Sequence, residues 1–354
     1  MSCTRPNRMF DTGYKTATGK RLMYFSNFHE HRTFIHKPKS ADVAYSQAFN
    51  HVTDLLITDY IEVPCGECES CKADKAREWA FRCLAEARQW EHNCVINLTY
   101  NNENLPTTTM YELDKDNNVV TKEVPTLLYK DVQDFKKRLQ RHWAYKYSEK
   151  GIRFVVAGEY GDQYDRPHYH IVAFNLNIRD KVDHGTTKRG SKEYLSAEVQ
   201  KLWGKGYITI GDCTRESIQY VANYTLKKIK GGHSAEYYDG IGKCPEFIVT
   251  SRNPGIGAKY LIEHVEEYKK YGKLVLGTNA GLIELHSCQF LDRYIQNIDP
   301  DELLEIKEAK RKLNERRELV RAKISGVSIE KLRETKAQEF HERIKHAKKN
   351  RRFA

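Results

Sequence analysis

The chain has 354 residues, and its 40% hydrophobic and 11% aromatic content excludes wholesale disorder. Its 59 Lys+Arg against 48 Asp+Glu leave a formal charge of +11 and a pI near 9.0, which makes an acidic polymer such as nucleic acid the natural partner. No run of about 18 apolar residues is present to span a membrane, no apolar h-region marks a secretory signal, and nine cysteines in such a chain read as thiols or metal ligands, not a disulfide frame.

The first 60 residues are polar and aromatic, with short strand-like runs and no helical period. Trp79, Phe81, Leu84 and Ala85 among alternating charges predict a helix over 72–90, and Val95 to Tyr100 reads as a strand. Residues 101–126 carry Pro106, Pro125 and the polar run Asp114 to Asn118, which predicts a long loop or an exposed hairpin. Val132, Phe135, Leu139 and Trp143 recur at helical spacing and predict a helix over 130–147. Two apolar strands, 154–157 and 168–174, follow around a polar turn with Gly161, Asp162, Asp165 and Pro167. A helix fits 192–203 and a strand fits 207–210. A further helix is expected from the N-cap Thr214 to Lys230, where Gly231-Gly232 stops it.

This order between residues 95 and 232 predicts an α+β fold, a central antiparallel sheet with flanking helices. Ser251 to Gly257 is a turn-rich loop before another helix. Asp299-Pro300 opens a helical extension that breaks at Ser325-Gly326 and carries 17 basic against 10 acidic residues over 301–354. It reads as a solvated helical pair with charge ladders such as Glu308 to Lys312, with nonspecific DNA binding as the alternative.

His168-Tyr169-His170 puts two imidazoles on one face of a strand and Tyr169 on the other, because strand side chains alternate. Two neutral imidazoles leave a divalent cation open positions for phosphate oxygens. Glu159, across the hairpin, is placed to meet both rings. His29-Glu30-His31 has the same spacing, but no apolar strand follows to hold it.

Tyr220 and Tyr224 share one side of the predicted helix. At about 100° per residue from Ile218 they fall at roughly 200° and 240°. Val221, Ala222, Thr225 and Ile229 form the opposite, apolar stripe, and Lys227 and Lys228 flank the phenols. Two phenols beside two ammonium groups, on a face not needed for the core, suit nucleophiles: a free tyrosine has a pKa of about 10, and nearby cations favour the phenolate. Attack on a phosphodiester would leave a 5′-phosphotyrosyl link and a free 3′-hydroxyl. The alternative is stacking on bases without chemistry.

Cys65, Cys68 and Cys71, at C-x2-C-x2-C spacing, offer three thiolates to a structural Zn²⁺, with Cys83, Cys94 or His92 as the fourth ligand. A thiol-rich turn opening the helix is the bland alternative. Lys136, Lys137, Arg138 and Arg141 on the 130–147 helix either contact phosphates or face solvent. No P-loop is present, so unwinding falls to another protein.

Three motifs in chain order resemble one family. They are Ile96-Asn97-Leu98-Thr99-Tyr100, then Gly158-Glu159-Tyr160-Gly161 with Arg166-Pro167-His168-Tyr169-His170, then Tyr220-Val221-Ala222-Asn223-Tyr224 with Lys227-Lys228. Together they resemble the HUH endonucleases that initiate rolling-circle replication. The cysteine motif with Trp79 and Arg82, and Pro254-Gly255-Ile256-Gly257, are similar to the initiators of microviruses of gokushovirus type. The resemblance covers roughly residues 60–260.

It implies His168, His170 and Glu159 as ligands of Mg²⁺ or Mn²⁺, and Tyr220 and Tyr224 as paired nucleophiles assisted by Lys227 or Lys228. Arg166 joins Lys136, Lys137 and Arg141 as a candidate DNA contact. Asn223 departs from the basic residue the family often carries before its second tyrosine. The implied organisation is an N-terminal region over 1–94, an endonuclease domain over 95–260 and a basic helical extension over 261–354. The implied partners are single-stranded origin DNA and a host helicase and polymerase, in the cytoplasm of a host bacterium. The competing expectations are an HUH-type transposase and a nonenzymatic zinc-containing DNA-binding protein.

Overall fold

The computed structural model describes residues 3, 6–15, 21–26, 61–161, 163–187, 190–226, 234–278 and 281–352. The chain divides into two compact units, residues 1–72 with 318–344 and residues 73–317 with 345–354.

In the first unit, strands β1 (Asn7–Lys15), β2 (Arg21–Ser26) and β3 (Ile61–Val63) form a sheet in the order β2-β1-β3. The cysteine-rich turn follows β3 directly and leads into helix α1 (Glu69–Ala87). Arg333 bridges Glu62 and Glu318, and His341 Nδ1 lies 3.0 Å from Glu69 Oε2.

The second unit is built on seven strands. In chain order its elements begin with β4 (Asn93–Thr99), the exposed hairpin β5 (Thr107–Leu113) and β6 (Val119–Pro125), and helix α2 (Tyr129–Lys146). Next come β7 (Arg153–Tyr160), β8 (Pro167–Phe174), β9 (Val182–Thr186), β10 (Lys192–Leu195), α3 (Ala197–Trp203), β11 (Ile208–Asp212) and α4 (Arg215–Ala222). The short helix α5 (Ser234–Gly240) precedes β12 (Phe247–Thr250). The main sheet runs β12-β7-β8-β4-β11-β10-β9, every neighbour antiparallel. The protein is thus α+β with a large antiparallel sheet and flanking helices, as the sequence predicts.

Both faces of this sheet are covered, which is why β7 and β8 read as nearly continuous apolar runs. On one face Tyr169, Ile171 and Ala173 pack with Val132, Phe135, Leu139 and Trp143 of α2 and with Trp203 of α3. On the other, Val155, Val172 and Phe174 pack with Ala80 and Cys83 of α1 and with Ile218, Val221 and Ala222 of α4. The loop Gly255-Ile256-Gly257 docks onto α1: Arg82 Nε donates to the Ile256 carbonyl (3.0 Å), and the Gly257 amide donates to Glu86 Oε2 (2.7 Å).

Two predicted helices are corrected. The 192–203 segment is strand over Lys192–Leu195, paired with β11 and β9, and becomes helical only after Ser196. Ser196 is the N-cap, its Oγ accepting from the Val199 amide (3.1 Å). The helix expected over 214–230 starts at the Thr214 cap, where a reciprocal capping box with Ser217 forms. Its α-helical part ends at Ala222, and Asn223–Leu226 tighten into a 3₁₀ turn.

After β12 come α6 (Ala258–Glu263), α7 (Val265–Tyr271), the ribbon β13 (Leu274–Thr278) and β14 (Gly281–Leu285), and α8 (Gln289–Ile298). They share an apolar cluster with Phe81 of α1, including Leu261, Tyr268, Leu276, Cys288, Leu291 and Ile295. The extension is two long helices, α9 (Pro300–Ser325) and α10 (Ile329–Arg352), broken where Ser325-Gly326 predicts. Among the described residues, no helix is long and apolar enough to cross a membrane.

Candidate functional site

Strand register assembles the site. Glu159 on β7 pairs with His168 on β8, and Asn97 on β4 pairs with His170. Period-two alternation sends His168 and His170 to one face while Tyr169 enters the α2 side, fully buried. Glu159 Oε1 lies 2.8 Å from His168 Nε2 and 3.1 Å from His170 Nε2.

The other ring nitrogens face acceptors. His170 Nδ1 donates to Asn97 Oδ1 (2.6 Å), and His168 Nδ1 donates to the Arg166 carbonyl (3.1 Å). The Asn97 amide is itself oriented, because its Nδ2 donates to Thr209 Oγ1 (3.0 Å). These partners assign the Nδ1–H tautomer to both rings. A neutral ring of that tautomer turns a lone pair at Nε2 toward the carboxylate. Two imidazole nitrogens and a carboxylate oxygen therefore converge, all within 4.8 Å, on a point that suits a cation. An imidazole fixed by an oxygen acceptor on its far nitrogen is the usual support of a metal-ligating histidine.

Burial pushes the Glu159 carboxyl up, but hydrogen bonds from His168 and His170 and their charge outweigh it and hold the group well below the usual carboxylate range. A buried carboxylate is thus kept ionised by the two rings it faces.

The tyrosines lie against the same imidazole. The Tyr224 ring stacks on His170 with centroids 4.6 Å apart and planes 10° from parallel; Tyr220 meets His170 edge-on at 5.4 Å and Tyr224 at 5.1 Å. The wheel reading is corrected for one of them: Tyr224 is only 5% exposed and belongs to the cluster of Ile218, Val221 and Ala222, whereas Tyr220 is 37% exposed. The 3₁₀ turn breaks the 3.6-residue phase on which the wheel depends, and the face carrying the phenols is turned toward the histidine strand. Burial, followed by the charge of Glu159 and Tyr220, raises the Tyr224 phenol far above its ordinary value. Lys227 and Lys228, and the second pair His29 and His31, lie outside the described residues.

The remaining candidates fall elsewhere. The Arg166 guanidinium holds the loop after β4, donating to the Tyr100 carbonyl and to Asn102 Oδ1, each at 3.0 Å. Lys136, Lys137 and Arg141 belong to α2, the helix on the sheet face opposite the histidines, so the structure does not bring them to the imidazoles. Cys65, Cys68 and Cys71 come together, but with Cys3 and not Cys83. Cys83 is 2% exposed in the core with Ala80, Val95 and Val155.

Sequence reasoning missed two residues. Asn97 was visible as a polar residue inside an otherwise apolar strand, and Cys3 as a cysteine upstream of a motif whose fourth ligand was sought only downstream.

The comparisons agree with this arrangement. The family of replication-associated protein ORF2 matches residues 93–229, the stretch from β4 to just beyond the tyrosines. Replication-associated protein ORF2 of Spiroplasma virus 4 is 31% identical over 257 residues, 72% of this chain and 74% of that protein. Replication-associated protein VP4 of Bdellovibrio phage phiMH2K is 31% identical over 214 residues, 60% of this chain and 62% of that protein. Replication-associated protein ORF4 of Chlamydia phage 1 is 28% identical over 218 residues, 60% of this chain and 49% of that protein. This chain belongs to the replication-associated protein ORF2 family. No solved structure matches it.

Proposed function

We propose that this protein initiates rolling-circle DNA replication by nicking single-stranded origin DNA and later rejoining the displaced strand. The observation that carries the reading is the contact of two phenol rings with His170, beside a carboxylate shared by two imidazoles. Glu159, His168 and His170 would hold Mg²⁺ or Mn²⁺, and their converging lone pairs fit it. Such an ion, when bound, polarises the scissile phosphodiester and offsets charge developing on its oxygens.

The chain's own groups supply the rest. Tyr220, the more exposed phenol, attacks phosphorus. The new bond joins the tyrosyl oxygen to the 5′-phosphate, the P–O3′ bond breaks, and the departing 3′-oxygen takes up a proton as the phenol loses one. That 3′-hydroxyl primes synthesis by a host polymerase, and strand separation falls to a host helicase in the bacterial cytoplasm. Lys227 and Lys228 are proposed to favour the phenolate. Tyr224 keeps its proton while stacked and acts on the regenerated origin, so that the displaced strand closes into a circle.

Incubating the full chain with origin single strand and Mn²⁺ tests this. A covalent tyrosyl–DNA adduct is expected, lost in His168→Ala and in the Tyr220→Phe, Tyr224→Phe double variant. Binding without any adduct would leave a DNA-binding protein with no chemistry.

A further inference from the structure

A second cluster stands apart from the nicking site and does not depend on that reading. We propose that Cys3, Cys65, Cys68 and Cys71 form a tetrahedral structural zinc site, with Cys3 as the fourth ligand. The geometry is that of a metal cage. Cys3 Sγ lies 3.8 Å from Cys68 Sγ, and Cys65 Sγ lies 3.9 Å from Cys71 Sγ. A tetrahedron with Zn–S bonds of about 2.3 Å has edges of about 3.8 Å, whereas a disulfide needs about 2.05 Å.

Backbone amides already point at the sulfurs. The Cys65 amide donates to Cys3 Sγ (3.3 Å), the Cys68 amide to Cys65 Sγ (3.3 Å) and the Cys71 amide to Cys68 Sγ (3.5 Å). Such donors offset the negative charge of four thiolates around one divalent ion. Cys68 also occupies the capping position of α1, its carbonyl accepting from the Lys72 amide (3.0 Å), so the helix's positive end favours its thiolate. Gly66 sits at φ +77°, in the left-handed region, and makes the tight turn between the first two ligands of the motif.

Strand pairing explains why Cys3 completes the set. In the β1–β3 ladder Asn7 pairs with Val63 and Arg8 with Glu62. Continuing that register past the end of β1 sets Cys3 opposite Glu67, between Cys65 and Cys68. The ion would tie the segment before β1 to the start of α1, closing a loop of more than 60 residues. All four ligands are thiols, which selects zinc or iron over Mg²⁺ or Mn²⁺.

The test uses the purified full chain, with zinc as the probe. Mass-spectrometric elemental analysis should find one zinc per chain. Alkylation of the native protein should spare Cys3, Cys65, Cys68 and Cys71 while labelling exposed Cys244, and a chelator should release the zinc and expose all four together. Cys3→Ser should lower zinc occupancy at least tenfold, Cys3→His should restore it, and Cys83→Ala and His168→Ala should leave it unchanged. If Cys3→Ser does not fold, the alkylation pattern of the wild-type chain decides. Zinc retained in full by Cys3→Ser, iron with acid-labile sulfide in its place, or Cys3–Cys68 and Cys65–Cys71 disulfides in metal-free protein would each overturn the assignment.

Discussion

Tyr224 lies flat on His170, 4.6 Å from ring to ring, while Asn97 holds the same imidazole through its Nδ1. The histidine is therefore fixed by one neighbouring strand and roofed by the turn after α4. Tyr220 meets the roof and the imidazole edge-on and keeps more than a third of its surface in solvent. The two phenols are close neighbours with unequal access to a substrate.

That inequality predicts an order of action. Tyr220→Phe should slow the first cleavage of origin single strand at least about 1,000-fold, the scale expected for losing a nucleophile. Tyr224→Phe keeps the ring on His170 and should leave first cleavage near the wild-type rate while blocking circle closure. Single-turnover cleavage and a circularisation assay separate the two steps. Equal loss of first cleavage in both variants would reject the order.

The sheet was legible because its central strands are long, apolar and bounded by polar turns, and the hairpin at Asp114 to Asn118 announced itself. Phe247 to Thr250 was missed as a strand because its four residues acquire meaning only beside β7. Lys192 to Leu195 carries charges that suit a helix surface, yet Tyr194 pairs with Ile210 and the sheet decides. The histidine pair and Glu159 could be read from spacing and the hairpin alone. The burial of Tyr224 could not, since it follows from a 3₁₀ turn that an ideal wheel does not contain.

Glu159 gives a pH prediction for metal-free protein. Its folded-state pKa is depressed below the ordinary 4.5, because the hydrogen bonds and charge of the two histidines outweigh burial. The stabilisation this provides is therefore complete above the unfolded value and is lost as pH falls through the folded one. Denaturation midpoints of the wild-type chain and Glu159→Gln, measured in chelator, should differ most above about pH 4.5 and converge in stronger acid. A gap that widens on acidification would contradict the assignment.

Gly206 lets the chain cross the end of β4. A Cβ there would press on the Thr99 carbonyl oxygen and sit 2.6 Å from the Asn101 nitrogen. The same crossing is tied by the Thr99 amide to the Tyr207 carbonyl (2.9 Å) and by the Asn101 amide to the Lys205 carbonyl (3.1 Å). Gly206→Ala should cost about 2 kcal/mol, read as a lower urea midpoint. An unchanged midpoint would mean that this backbone approach is not maintained in solution.

Asn97 predicts how the metal ligands are held. Its Oδ1 accepts from His170 Nδ1, and its amide is fixed by Thr209. Asn97→Leu removes the acceptor without emptying the position, frees the His170 tautomer, and should weaken Mn²⁺ binding about 10–100-fold. Asn97→Asp keeps an acceptor, since the Thr209 hydroxyl can rotate to donate to a carboxylate, and should retain wild-type affinity or exceed it. Titration calorimetry on both variants, with thermal midpoints as the control for folding, distinguishes an orienting role from simple packing. Packing alone would spare the leucine variant, which fills the same space, and penalise the charge.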